Sequence, residues 1–362
     1  MKKFAIATSL LFLVALLHAE TAGVIQLPQP DLKSGKPLMQ CAAERRSERK
    51  FSEKALPAQM ISEKISEIDL LKKLPFECDP VERRALQDLF QSLTDQVSKA
   101  EFDRFNDDPE VVSDNILLNY YDSVCDRILA DVPATTVAPG EAVIWYIYNH
   151  GWIIKTAESC FGIDVHHRRA DKLAEMLDFV AVTHNHNDHY NMTLLRALTQ
   201  AGKPVISNFF PNPFYTKATS FTHQIKDVTI YCGEADHNTL LRRFTMPMEI
   251  VCAGKERDFV FFTSGDCFSS DFLESRTGRI NLYSLHPRCG MIPVEAAKKL
   301  QPEMTFVVHL HEMGHDIGRW RWSMDDGRLV VDALAKENFA AYLPAWGEKF
   351  FWDGKKLHLA QK

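Results

Sequence analysis

The spacing of apolar residues divides the chain into two parts, one with the period of helices and one with the shorter runs of strands. In the first part, the stretch 80–99 repeats apolar residues every three or four positions, as the buried face of a helix does: Leu86, Leu89, Phe90, Leu93 and Val97. Helix-like stretches also occupy 42–50, 57–74 and 109–129. The first part is therefore predicted to be helical.

In the second part, from about residue 140, short apolar runs are bounded by Gly, Pro, Asn or Asp, which is the pattern of β-strands. The predicted strands cover residues 142–148, 152–156, 160–164, 177–182, 203–207, 228–232, 258–266 and 304–309. Predicted helices at 193–200 and 293–300 lie between them, and Asp-Gly at 353–354 predicts a hairpin over 349–359. This alternation is typical of an α/β domain.

Three segments are predicted along the chain. Residues 1–19 have the pattern of a secretory signal peptide, since Lys2 and Lys3 precede a short apolar run that ends near Ala19. The run is too short for a membrane span, so we predict a periplasmic or secreted protein without a transmembrane segment after cleavage. A turn-rich linker then separates a helical N-terminal region, residues 20–139, from a second domain, residues 140–362.

Composition narrows the expected partners. The chain has 362 residues, 46% of them hydrophobic, and a net charge of −6 without a basic stripe. We therefore expect no nucleic acid partner, but a small-molecule or lipid-like substrate. The eight cysteines form no C-x-x-C pair, so a cysteine zinc site is not indicated. Disulfides are compatible with export, and their connectivity stays open.

The candidate chemistry is concentrated in residues 184–189, His-Asn-His-Asn-Asp-His, directly after the apolar run 177–182. Neutral imidazole nitrogens and carboxylate oxygens are the ligands that Zn²⁺ and similar cations prefer. In an extended segment, His184 and His186 point to the same face and can reach one ion. A histidine-rich solvent loop is the alternative, but three imidazoles and a carboxylate in six positions favour metal binding.

This H-x-H-x-D-H pattern resembles the signature of the metallo-β-lactamase fold superfamily, and the resemblance extends from about Glu141 to the C-terminus. It implies a four-layer αββα sandwich, here preceded by the small helical N-terminal region. It also implies two divalent metal ions, with Zn²⁺ expected and Mn or Fe as alternatives. The implied ligands are His184, His186 and His237 for the first cation, Asp188, His189 and His309 for the second, and Asp266 as the bridge.

The resemblance further implies a hydrolase. Water held between two cations is deprotonated near neutral pH, and the hydroxide would attack an ester, lactone, amide or phosphodiester, with Asp188 and Asp266 as catalytic residues. The local sequence is similar to the lactonase and phospholipase D-like branch, whereas Tyr190-Asn191 replaces the Gly that follows this loop in many β-lactamases. The candidates for substrate binding are His286, His311 and His315.

Two other functions are compatible with parts of the sequence. His311, Glu312 and His315 match H-E-x-x-H, the motif of single-zinc peptidases, but the preceding strand-like run and an internal Gly argue against the helix that this motif needs. A non-catalytic exported binding protein is the other alternative, although all seven ligand positions are filled. Two single residues also have two interpretations: Asp164 orients the metal loop or makes a turn, and Cys267 is a ligand or a small buried residue.

Overall fold

The structure is a computed structural model that describes residue 69 and residues 80–215 and 221–359. The predicted signal peptide and, apart from residue 69, the helices predicted at 42–50 and 57–74 lie outside the described residues. The helices in the described part are α1 (Pro80–Thr94), α2 (Lys99–Asp107), α3 (Ile116–Ala134), α4 (Met192–Gln200), α5 (Pro293–Leu300) and α6 (Met324–Lys336). None of these helices has both the length and the apolarity that a membrane crossing requires.

Capping residues set two helix boundaries that the apolar period does not reveal. Ser98 accepts a hydrogen bond from a backbone N–H of the first turn of α2, so a second helix begins there. The helix predicted over 80–99 therefore ends at Thr94. Asn115 accepts two backbone N–H groups of α3, which begins at Ile116 rather than near residue 109. Both side chains satisfy N–H groups that a helix start leaves without partners.

The strands of the described part form two seven-stranded sheets. The first sheet contains, in the order of pairing, β14 (Leu357–Leu359), β13 (Lys349–Trp352), β1 (Ala142–Tyr146), β2 (Trp152–Lys155), β3 (Cys160–Ile163), β4 (Phe179–Ala181) and β5 (Val205–Ile206). The second contains β12 (Ala341–Tyr342), β11 (Thr305–Val307), β10 (Leu282–Leu285), β9 (Phe259–Thr263), β8 (Met248–Cys252), β7 (Val228–Cys232) and β6 (Phe221–Ile225). The predicted C-terminal hairpin is present, and its strand β13 pairs antiparallel with β1.

The two sheets pack face to face through large aromatic side chains. Trp152 on β2 lies 5.7 Å from the ring of Phe261 on β9 and 5.8 Å from that of Phe306 on β11, measured between ring centroids. Its indole N–H donates to Ser284 Oγ on β10 at 3.0 Å, which satisfies this polar group inside the core. Helix α4 contacts β5, and helix α6 contacts β11 and β12. The predicted αββα sandwich is confirmed.

Helices α1 to α3 share one hydrophobic core with the two sheets. Tyr120 of α3 donates from its hydroxyl to the backbone oxygen of Trp346 at 2.6 Å. Arg83 of α1 donates to the buried carboxylate of Glu348, just before β13, at 3.2 Å. The division of the chain into domains at residue 139 stays a prediction from the sequence.

Strand direction brings the loops with candidate ligands to one edge of each sheet. In the first sheet β3, β4 and β5 are parallel, and in the second β9 to β12 are parallel. Strand β7 runs in the same direction as β9, because both pair antiparallel with β8. Ligands of α/β proteins commonly bind beyond the carboxyl ends of parallel strands. The predicted metal ligands follow the carboxyl ends of β4, β7, β9 and β11.

Candidate metal centre

The first group of predicted ligands comes together beyond the ends of β4, β7 and β9. One nitrogen or oxygen from each of His184, His186, His237 and Asp266 lies within 4.8 Å of all the others. The Nε2 atoms of His184 and His237 are 3.8 and 3.6 Å from Asp266 Oδ2. Three imidazoles and one carboxylate at this spacing can coordinate one cation.

The second group lies next to the first. Ligand atoms of Asp188, His189 and His309 are within 4.8 Å of one another, and His309 Nε2 is 3.1 Å from Asp188 Oδ2. Asp266 faces this group too, with Oδ1 3.5 Å from His189 Nε2 and Oδ2 3.8 Å from His309 Nε2. All seven predicted ligands are thus brought together, and Asp266 is placed between the two groups as a bridging carboxylate would be.

Buried atoms without hydrogen-bond partners test whether the residues fit metal ions. The Nε2 atoms of His184 and His189 and Oδ1 of Asp266 are buried and have no hydrogen-bond partner among the described residues. A buried polar atom without a partner costs free energy, and native structures rarely contain several such atoms together. Cations bound at this place would satisfy these atoms, so the donor set fits metal.

Asp164 holds two of the histidines in the tautomer that binds metal. Its carboxylate accepts from His189 Nδ1 at 2.9 Å and from Thr183 Oγ1 at 2.7 Å. Because Thr183 donates its hydroxyl proton to Asp164, the Thr183 oxygen accepts from His184 Nδ1, 3.0 Å away. Both histidines therefore hold a proton on Nδ1, which makes Nε2 the nitrogen that is available to a cation. Asp164 orients the metal loop from a left-handed backbone position, φ 45°.

We expect Asp164→Asn to weaken metal binding about 10- to 100-fold. Asparagine tolerates the positive φ, but it removes the negative charge that fixes the His189 proton on Nδ1. The measurement is a titration of metal-free protein in metal buffers. Asp178→Asn is the matched control, because Asp178 binds Lys226 and the N–H of Cys160 outside the site. Equal affinities for Asp164→Asn and wild type would contradict the orienting role.

Burial and neighbouring charges set the protonation of the ligand histidines. Burial and the adjacent His189 hold the pKa of His184 well below its usual range. Burial and the nearby His237 lower the pKa of His186 to about 4. Burial also opposes a charge on His189, but the carboxylates around it outweigh burial and raise its pKa to about 10. A cation binding at His189 therefore displaces a proton, whereas His184 and His186 are already neutral.

The three predicted substrate-binding histidines have different positions. His286 is buried beside the second group, with its ring 4.2 Å from that of His309. Its Nδ1 accepts from the backbone N–H of Arg288 at 2.9 Å, so its proton is on Nε2. His286 consequently acts as a hydrogen-bond donor near the site. A ring nitrogen of His315 lies within 4.8 Å of a carboxylate oxygen of Asp188, so His315 is close to the second group.

His311 is not brought into this cluster. Its Nδ1 is 3.1 Å from the hydroxyl of Thr94, and its ring packs edge-on against Phe90 of α1 at 5.1 Å. The segment 311–315 forms turns rather than a helix. The helix that H-E-x-x-H requires is therefore absent from these residues. His311 and His315 also face different surroundings. These two observations exclude the single-zinc peptidase arrangement.

His150 is a residue of the site that the sequence analysis did not identify. It is 1% exposed, neither ring nitrogen has a partner among the described residues, and Nε2 is 3.8 Å from Asp266 Oδ1. The neighbouring Asn149 donates to the backbone and side-chain oxygens of Asp188 at 2.9 and 3.1 Å. In the sequence, Asn149 and His150 are only two polar residues after an apolar strand. An ordinary hairpin turn gives the same pattern.

Cys267 is a small buried residue and not a ligand. Its thiol donates to the backbone oxygen of Ser269 at 3.0 Å, and it belongs to none of the groups of described residues whose ligand atoms lie within 4.8 Å of one another. No disulfide is formed by the cysteines in the described part of the chain: Cys125, Cys160, Cys232, Cys252, Cys267 and Cys289.

Comparisons with known proteins give similar folds but no sequence relative. No model of a protein family matches the chain, and no curated protein does either. Igni18, a metallo hydrolase from Ignicoccus hospitalis, is 13% identical with a TM-score of 0.42, and the match covers 59% of this chain and 99% of Igni18. A Thermotoga maritima protein, assigned as a zinc-dependent hydrolase of the metallo-β-lactamase superfamily, is 13% identical with a TM-score of 0.35, over 53% of this chain and 86% of that protein.

A third similar structure belongs to a protein with a different activity. CmlA, a diiron β-hydroxylase from Streptomyces venezuelae, is 14% identical with a TM-score of 0.41, and the match covers 59% of this chain and 54% of CmlA. With two packed sheets, flanking helices and the ligand residues at the strand ends in the expected order, the chain has the fold of the metallo-β-lactamase superfamily, and the predicted resemblance is confirmed at that level.

Proposed function

We propose that this chain is a metal-dependent hydrolase that uses two divalent cations. The observation that carries the proposal is the meeting of seven side chains from loops of both sheets, with Asp266 between two ligand groups. His184, His186 and His237 would hold the first cation, and Asp188, His189 and His309 the second. Bound cations supply a polarised substrate oxygen and an activated water. The imidazole-rich first group suits Zn²⁺. The second group suits Mn or Fe as well as it suits Zn²⁺.

The surrounding residues supply orientation and proton transfer. His286 donates from Nε2 toward the second group, where it would hold an oxygen of the substrate. Asn149 fixes Asp188, which is thereby placed to steer the attacking water and accept its proton. These roles suit a carbonyl or phosphoryl centre, so the proposed substrates are esters, lactones or phosphodiesters. Because the segment 1–19 has the pattern of a signal peptide, we also propose that the substrate is met outside the cytoplasm.

The test combines metal analysis with a panel of chromogenic esters, phosphodiesters, lactones and cephalosporins. We expect about two ions per chain and hydrolysis within one of these classes, lost in His186→Ala. His358→Ala is the matched control, since His358 lies on β14 and binds Asp353. A chain that binds two ions and hydrolyses no member of the panel would favour a binding protein. Activity that persists in His186→Ala would contradict the proposed centre.

A further inference from the structure

A carboxylate and an imidazole that the seven ligands do not use lie beside the second ligand group. Glu312 is fully buried, and one of its carboxylate oxygens accepts from Nδ1 of His315. Ligand atoms of Asp188, Glu312 and His315 are within 4.8 Å of one another. The pair is thus next to the position where a substrate held by the second cation would react.

The hydrogen bonds of Glu312 favour a proton-transfer pair over a third metal site. Its Oε1 accepts from the Tyr148 hydroxyl at 3.2 Å and from the backbone N–H of Gly314 at 2.8 Å, while Oε2 accepts from His315. Both carboxylate oxygens are therefore occupied by donors. Because His315 uses Nδ1 to donate to Glu312, Nε2 is the ring nitrogen left for another partner, and the described residues supply no hydrogen bond to it.

His315 is accessible to a substrate, whereas Glu312 is not. The side chain of His315 is 31% exposed and that of Glu312 is 1% exposed. The ring of His315 lies 5.9 Å from that of Trp320, which is itself 54% exposed. A buried carboxylate behind a partly exposed imidazole is the arrangement that fixes the tautomer and orientation of a general acid or base and stabilises the imidazolium.

The N-terminal helices hold this pair in place. Arg321 donates to the backbone oxygens of His315 and Met313 at 2.8 and 2.7 Å, and also to those of Thr94 and Val97 at 3.1 and 2.6 Å. It therefore ties the loop that carries His315 to the connection between α1 and α2. Tyr148, which binds Glu312, packs against Tyr121 of α3 with ring centroids 5.0 Å apart.

We propose that His315, oriented by Glu312, is the general acid that protonates the leaving group. The inference rests on the hydrolase activity proposed above. The oxygen of water bonds to the carbonyl carbon or phosphorus, and Asp188 takes a proton from that water. The bond from carbon or phosphorus to the leaving oxygen breaks, its electron pair stays on this oxygen, and the oxygen takes the Nε2 proton of His315. Proton exchange with solvent then restores both side chains.

The test compares substrates that share one acyl or phosphoryl group and differ in the leaving group. A p-nitrophenolate leaving group departs without a proton, whereas an alkoxide needs one. We expect His315→Ala to lower kcat about 10²- to 10⁴-fold for the alkyl substrate and less than about tenfold for the p-nitrophenyl substrate, with little change in KM. Glu312→Gln, which alters a positioning residue, should give a smaller loss with the same dependence on the leaving group.

Metal content and thermal midpoint are measured for each variant, and His358→Ala serves as the control outside the site. Equal losses for the two leaving groups, or loss of metal from His315→Ala, would overturn the role of His315 and leave the hydrolase function intact. If the wild-type protein hydrolyses neither substrate in any class of the panel, the proposed function fails and this inference fails with it.

Discussion

Replacing Asp266 with asparagine is expected to reduce bound metal below two ions per chain and to lower hydrolysis by on the order of 10³-fold or more. Asp266 lies within 3.8 Å of nitrogens from both ligand groups. Asparagine keeps the shape but has one carbonyl oxygen and no charge, so it cannot serve two cations. Losing one cation removes several kcal/mol of transition-state stabilisation, which corresponds to this loss of rate. Metal analysis and kcat on the same preparation provide the measurement.

Asp271→Asn is the matched control for this variant, because it removes the same charge from an exposed position five residues further along the chain. It should retain metal and rate. Wild-type turnover by Asp266→Asn would show that the carboxylate does not connect the two ligand groups, and the two-cation mechanism would have to be abandoned.

Removing the metal with a chelator is expected to abolish hydrolysis and also to lower the midpoint of thermal unfolding by roughly 5–10 °C. The ligands are supplied by both sheets, and several of their buried atoms have no other partner. A cation that binds only the folded chain, at a free concentration about 1,000 times its Kd, stabilises it by about 4 kcal/mol. For a chain of several hundred residues this corresponds to a shift of that size. Differential scanning calorimetry with and without chelator measures it.

Asp266→Asn provides the comparison here, since it is expected to bind less metal and chelator should therefore shift its midpoint less than that of wild type. Adding back the metal should restore both activity and midpoint in wild type. An unchanged wild-type midpoint in the presence of chelator would show that bound cations do not stabilise the buried histidines.

The seven candidate ligands could be predicted because residues 184–189 match the metallo-β-lactamase signature, and the resemblance implies the further ligands at strand ends. His237, Asp266 and His309 each follow an apolar run, and parallel strands bring such positions to a common edge. The boundary at Ser98 was missed because the apolar period continues through to Val97, while a single side-chain hydrogen bond starts the next helix.

The remaining parts of the site depend on contacts that the sequence does not encode locally. His309 and His311 both have positive φ, 58° and 59°, and His311 is directed to Phe90, more than two hundred residues earlier. A spacing argument cannot predict that direction. His150 was missed for a related reason, because a single histidine in a hairpin turn has no spacing to interpret. Its ring is buried near those of His189, His286 and His309, which are distant in sequence.

The pairing of the C-terminal hairpin with β1 determines when the molecule can fold during synthesis. Strand β1 pairs with β2 on one side, and its other side is covered only by β13, which begins at Lys349. Until the ribosome has released β13, β1 has an open hydrogen-bonding edge, which is a template for aggregation. Contacts between residues as far apart in the chain as Ala142 and Trp352 also form slowly. A message truncated shortly before codon 349 would therefore yield aggregated protein rather than a slightly shorter enzyme.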